Sequence, residues 1–229
     1  MYTLYIANKN YSSWSLRPWV LMRGLGIPFD EKRVPFATGV GTNWNAFRVF
    51  SPNGKVPCLH DGDIAVWDSL AIAEYLAERH AGVWPSDPEA RAWARCAAAE
   101  MHSGFAALRN VCTMNCGIRV RLDPPDAALQ KDIARVAELW NEGLARFGGP
   151  FLAGAAFGAV DAFYAPVAFR IQTYGLTLDA TSMAYAQRLL DLPAMHEWYE
   201  AALAETWREP DHEADARRVG TWLEDLRAS

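Results

Sequence analysis

Residues 2–7 form a short apolar run of strand-forming types, and residues 16–25 then repeat apolar positions at helical spacing as far as Gly24 and Gly26. A second, alternating strand is expected over residues 29–34. A short helical stretch follows over residues 42–50, closed by Ser51-Pro52-Asn53-Gly54. Residues 56–60 and 64–67 flank Asp61-Gly62-Asp63, and Asp-Gly between two apolar runs is a hairpin signal. Residues 68–80 return to helical spacing through Ile72, Tyr75, Leu76 and Arg79. The order is βαβαββα, an α/β unit with a tight hairpin late in the chain.

Proline and glycine concentrate in residues 82–88, which read as a linker between a first domain of residues 1–81 and a second of residues 89–229. Beyond the linker the pattern is helical throughout. Asp87 is placed to cap a helix with Pro88 at its first position, and Trp93, Ala97, Met101, Phe105, Leu108 and Cys112 continue as one stripe. Ile133, Val136, Trp140, Leu144 and Phe147 make a second stripe that stops at Gly148-Gly149-Pro150. Further helices are expected over residues 161–173, 181–190, 193–207 and 213–226. The fold class is an α/β thioredoxin-like domain followed by an all-α domain.

The 229 residues suffice to bury a core without covalent staples. Acidic residues exceed basic ones by 27 to 22 with no like-charge block, which argues against a nucleic-acid or anionic-membrane partner. No apolar run approaches the roughly 20 residues that span a bilayer. The first eleven residues lack the pattern of a secretory signal, so a cytoplasmic location is expected. Cys58, Cys96, Cys112 and Cys116 contain no C-x-x-C pair, and Cys112 and Cys116, four apart, lack neighbouring histidine or acidic ligands. Reduced thiols and no metal are expected.

Three segments can carry chemistry. Tyr11-Ser12-Ser13-Trp14-Ser15-Leu16-Arg17 joins the first strand to the first helix. Pro18 is tolerated only near a helix start, which makes Ser15 or Trp14 the expected N-cap and puts Ser12 and Ser13 just ahead of the positive helix end. A serine-rich cap is the simpler reading of this piece. Asn53-Gly54-Lys55-Val56-Pro57 introduces the hairpin. It is either an ordinary turn or an open edge where the N–H and C=O of Val56 pair with an extended peptide. Asp68-Ser69 opens the third helix, as a cap or as a site in which Ser69 meets a carboxylate and Asp68 an ammonium group.

Taken together, Ser-Ser-x-Ser-x-Arg near position 12, Ser-Pro-Asn-Gly-Lys-Val-Pro near 55 and Trp-Asp-Ser-Leu-Ala-Ile-Ala-Glu-Tyr-Leu near 70 resemble the glutathione transferase family over nearly the whole chain. The resemblance implies a glutathione co-substrate and a second, small electrophilic substrate. It implies that Val56 binds the cysteinyl backbone beside a cis Pro57, that Asp68 and Ser69 hold the γ-glutamyl end, and that Lys55 approaches the glycyl carboxylate, with Trp44 a further glycyl contact. Ser15 is included among the glutathione contacts. The first motif is similar to the serine classes: the zeta-like pattern selects Ser12 as the group that activates the thiol, and counting back from Arg17 in the theta-like manner selects Ser13. Trp14 departs from the zeta-like pattern, which has cysteine there. With no cysteine in this loop, thiol–disulfide exchange through an enzyme thiol is not expected.

In the second domain Gly158-Ala159-Val160-Asp161 is similar to the family's helix-start motif, with glycine in place of the usual hydroxyl residue, and makes Asp161 structural. The resemblance implies that the long helix carrying His102, Phe105, Arg109 and Cys112 faces the glutathione site, where these residues would line an acceptor pocket. His102 is either a general base or a partner in an interdomain hydrogen bond, with no acidic partner identifiable. The resemblance also implies a two-fold homodimer.

Overall fold

The computed structural model describes residues 1–36 and 42–228. β1 (Tyr2–Ile6) and β2 (Phe29–Arg33) run parallel, joined through α1 (Ser13–Gly24); α2 (Thr42–Arg48) follows. β3 (Cys58–Asp61) pairs antiparallel with both β1 and β4 (Ile64–Val66), giving the order β2-β1-β3-β4, and α3 (Ser69–Ala77) closes the unit. Leu4 and Ile6 alternate inward and are fully buried with Leu59 from β3, as a half-buried sheet requires.

The second unit is helical: α4 (Pro88–Ser103), α5 (Ala106–Val111), α6 (Ala127–Phe147), α7 (Ala159–Tyr174), α8 (Ala180–Leu190), α9 (Pro193–Leu203) and α10 (Pro210–Arg218). Asp87 caps α4 as its position indicates, its Oδ1 accepting from Ala90 N at 2.8 Å. α7 is the axis of this unit, buried along nearly its whole length and packed on α4, α8 and α1 of the first unit. Asp161 fixes its start: its carboxylate accepts from Gly158 N and Leu152 N at 3.0 Å each and from the Tyr185 hydroxyl at 2.7 Å. No helix among the described residues is long and apolar enough to cross a membrane.

Three elements depart from the sequence expectation. The stripe through Trp93 and Cys112 is not one helix, because Gly104 is extended and Phe105 is left-handed (φ 55°, ψ 43°), ending α4. The short α5 is then held from outside by Asp132 of α6, whose carboxylate accepts from Leu108 N at 3.0 Å. The expected helix over residues 213–226 stops at Arg218. Gly220–Asp225 becomes β6 and pairs antiparallel with β5 (Ile118–Leu122), a two-stranded ribbon added to the helical domain. Such ribbons pair positions about a hundred residues apart, which helical periodicity cannot register. Finally, α1 begins earlier than Pro18 suggested: Leu16 N bonds Ser12 O at 3.1 Å, making Ser12 the N-cap and leaving Pro18 inside the helix, where it forgoes one ladder donor.

Candidate functional site

The serine loop is positioned by partners from both units. Asn8 O accepts from Tyr11 N and Ser12 N, and Asn8 Oδ1 from Phe36 N. Glu205, a buried carboxylate just beyond α9, accepts from Lys9 N at 2.8 Å and Asn10 N at 3.2 Å. Trp198 donates its indole N–H to Lys9 O at 2.9 Å and packs edge-on against Trp19 of α1. Buried hydrogen bonds to an ionised group are among the stronger ones, so this clasp fixes where α1 starts. Nothing in the local sequence announces it, because Glu205 lies 196 residues from Lys9.

The Ser12 hydroxyl donates to that of Ser15 at 2.7 Å, and Ser15 Oγ also accepts from Ala7 N at 3.2 Å. Ser15 is fully buried and outside the cleft described below, so its hydroxyl ties the loop to β1 and does not face a ligand directly. Ser13 is the first helical residue. Its hydroxyl has no hydrogen-bond partner among the described residues, and neither has the Trp14 N–H in the same turn. Unpaired first-turn donors and the helix dipole together favour an anion at this place.

A cleft of about 550 Å³ opens here, between the two units. Ser12, Ser13, Trp14, Lys55 and Val56 line one side; Arg109, Thr113, Met114 and Arg170 line the other, with His212 from α10 at the edge. Val56 N and O bond no described residue, so a short strand edge is open to the cleft, and the Val56–Pro57 peptide is cis. Trp44 closes over the 53–56 turn. Gly54 has φ 62°, and a Cβ there would run into the Trp44 ring, so a glycine serves both the backbone angle and the close approach.

Asp68 is the N-cap of α3, its Oδ1 accepting from Leu70 N at 3.0 Å, and Ser69 is the first helical residue. The Ser69 hydroxyl is buried without a partner among the described residues, and neither Asp68 nor Ser69 lines the cleft. An orphaned buried hydroxyl is costly unless something else completes it, and an incoming carboxylate would.

The expected acceptor pocket is only partly assembled. Arg109 faces the cleft, its guanidinium 4.5 Å from the centre of the Trp14 ring. His102 does not: its Nε2 lies 3.2 Å from Asp68 Oδ2, the acidic partner that the sequence did not reveal, and its ring stands edge-on to Trp14 at 5.2 Å. Burial, reinforced by Arg17 and Arg109, holds His102 below the usual histidine range against the pull of Asp68. The neutral ring with Nε2–H donating to Asp68 follows from these partners. Phe105 is packed inward against Tyr164, since the left-handed turn that ends α4 carries it into the core. Cys112 is fully buried, its thiol pushed up to about 12 by burial, and it acts through its carbonyl, which accepts from Arg170 Nε at 2.7 Å. Arg170, His212 and Phe36 line the cleft without any sequence signal that could have singled them out. A larger hollow of about 740 Å³ lies between β5, α6 and the α7–α8 connection, but its walls are mainly aliphatic and it is remote from the serine loop.

A thioredoxin-like sheet domain joined to a helical domain, with a serine-lined helix start between them, defines the class. The model of the glutathione S-transferase N-terminal domain matches residues 11–79 and that of the C-terminal domain residues 124–201. The chain belongs to the glutathione transferase family. It is 28% identical over 158 residues to glutathione S-transferase F14 of Arabidopsis thaliana, covering 65% of this chain and 61% of that protein. It is 41% identical over 66 residues to a dichloromethane dehalogenase of Methylorubrum extorquens, but only 28% of this chain and 23% of that protein are covered. The chain thus spans less than two thirds of either relative. Among solved structures, a theta class glutathione S-transferase from Xanthomonas axonopodis pv. citri with glutathione bound superposes with a TM-score of 0.61 at 24% identity, covering 90% of this chain and 99% of that one. A Burkholderia glutathione transferase homologue with bound glutathione gives 0.66 at 22%, covering 88% and 97%. These two share the fold.

Proposed function

We propose that this protein binds glutathione along the open edge at Val56 and activates its thiol for attack on a small electrophile. One observation supports the reading: Val56 N and O and the Ser13 hydroxyl line the cleft, and the Ser69 hydroxyl is fully buried at the start of α3 outside that lining; none has a partner among the described residues, and together they are the kinds of group that the polar atoms of an extended γ-glutamyl tripeptide require. Val56 pairs with the cysteinyl backbone, Ser69 and Asp68 take the γ-glutamyl carboxylate and ammonium, and Lys55 with Trp44 meets the glycyl end. The sulfur then lies at the start of α1.

A free thiol of pKa about 8.5 is only a few per cent ionised at neutral pH, and lowering it by two units takes about 2.7 kcal/mol of preference for the thiolate. One hydroxyl donor to a charged acceptor contributes about 1.5–3 kcal/mol and a helix N-terminus about 0.3–1 kcal/mol, so Ser13 with the Trp14 N–H is sufficient. The thiol proton passes to water, and a sulfur lone pair forms the C–S bond. In substitution the leaving group departs with the electron pair of its bond to carbon. In isomerisation sulfur adds to a conjugated double bond, the new single bond rotates, and the C–S bond breaks to return the thiolate.

The experiment is calorimetric titration with glutathione, followed by turnover over halogenated aromatics, epoxides, peroxides and maleyl compounds. Absence of glutathione binding overturns the reading. Binding without turnover on any of these would make the protein a carrier or interaction module of the same fold.

A further inference from the structure

Among the described residues that line the cleft there is no carboxylate, while Lys55, Arg109 and Arg170 all reach it. Lys55 belongs to the glutathione side. Arg109 and Arg170 come from the helical unit opposite, and a third arginine, Arg17, stands fully buried behind Trp14 with its guanidinium 4.3 Å from that ring. None of these three arginines has a described carboxylate within the 4.0 Å of an ion pair. Their bonds go to neutral carbonyls: Arg17 to Met101 O, Arg109 to His102 O and Gly104 O, Arg170 to Cys112 O and Pro166 O. Asp68, the acidic group that acts on Arg17, is already paired with His102. Burial pulls all three below the ordinary arginine range, and Arg17 and Arg170 also feel repulsion from Arg109.

Carbonyls satisfy donors but not charge, and clustered like charges at a partly dry site are unfavourable unless a counter-charge arrives. Nε and Nη2 of Arg109 and Nη2 of Arg170 bond no described residue, so two guanidinium groups keep donors free at the cleft. Planar guanidinium groups with spare N–H donors suit a carboxylate, and Trp14 and Met114 beside them suit an apolar body.

Resting on the glutathione reading above, we propose that the electrophile carries a carboxylate, seated on Arg109 and Arg170, with its apolar portion against Trp14 and Met114. Glutathione, with its own carboxylates at the Lys55 and Ser69 ends, leaves these two arginines to the second substrate.

The test compares S-(4-carboxybenzyl)glutathione with S-benzylglutathione, which differ by one carboxylate, by calorimetry on the whole protein. The expected result is about tenfold tighter binding of the carboxylated compound, from one charge-assisted contact. Arg109→Gln should remove most of that preference, and Arg109→Lys should retain part of it. The ultraviolet pKa of bound glutathione should stay within a few tenths of the wild type in Arg109→Gln. Equal binding of the two compounds by the wild type overturns the inference while leaving the glutathione site intact. Equal weakening of both by Arg109→Gln, with a raised thiolate pKa, overturns it by assigning the arginines to sulfur. If neither compound binds and glutathione does not either, the glutathione reading has failed and this inference falls with it.

Discussion

Ser12 donates its hydroxyl hydrogen to Ser15 at 2.7 Å, whereas the hydroxyl of the adjacent Ser13 has no partner among the described residues. A hydroxyl has one hydrogen, so in this arrangement Ser13 is the residue able to donate to a thiolate. Ser13→Ala should raise the pKa of bound glutathione by about one to two units, the worth of one hydrogen bond to a charged group, and lower kcat far more than it raises KM. Ser12→Ala should matter less, through a loosened loop. Ultraviolet titration of the thiolate in each variant decides the matter. A shift in Ser12→Ala and none in Ser13→Ala would return the role to Ser12, as the paired-serine motif suggests.

Asp68 caps α3 and holds His102 with one carboxylate, so replacement by alanine would remove a helix cap together with any ligand contact. Asparagine separates the two, since it caps a helix about as well as aspartate but carries no charge. Asp68→Asn should weaken glutathione about tenfold by loss of the ammonium partner, with little change in thermal midpoint. Calorimetry showing unchanged affinity in a folded variant would remove Asp68 from the site.

The protein is expected to be a two-fold homodimer, from the family resemblance and because isologous dimers are the commonest oligomers. Light scattering at micromolar concentration should give twice the 25.5 kDa chain mass. A species at the chain mass would contradict it.

The proposed glutathione half of the site could be singled out in the sequence because its chemistry is local: a helix start, a hairpin entry and a second helix start each leave short signatures, and Ser13, Val56 and Ser69 stand at those three places with groups that are unpaired among the described residues. The acceptor half could not, because it depends on a break in periodicity. Gly104 and the left-handed Phe105 end α4, turning Phe105 and Cys112 inward and bringing Arg109 to the cleft. The apolar spacing continues unbroken across that point, and the carboxylate that holds the turn after the break, Asp132 on Leu108 N, lies 24 residues on in another helix. Arg170 sits inside a helix buried nearly throughout, where its neighbours carry no hint of a polar role.

Asp161 offers a pH test of the fold itself. Gly158 cannot cap α7 with a side chain, so beside Val83 O, which accepts from Ala159 N, the helix start is held by Asp161, buried completely and accepting from Leu152 N, Gly158 N and the Tyr185 hydroxyl. Burial raises its carboxyl to about 6 from an ordinary 3.8, and the three hydrogen bonds offset only part of that rise. A carboxyl whose folded value is raised is held in its protonated form more tightly by the native state than by the unfolded chain. Its favourable contribution is therefore complete below about pH 4 and is lost as pH rises through about 6. The difference amounts to about 3 kcal/mol between these limits. Asp161→Asn does not titrate and keeps one carbonyl acceptor, so it should be less stable than the wild type at pH 4.5, with the gap narrowing by about 2 kcal/mol at pH 7.5, since part of the loss has already occurred at pH 4.5. Urea unfolding of both proteins at the two pH values measures the gap. A gap that is constant, or that widens with pH, would show that the hydrogen bonds to the ionised carboxylate outweigh its burial.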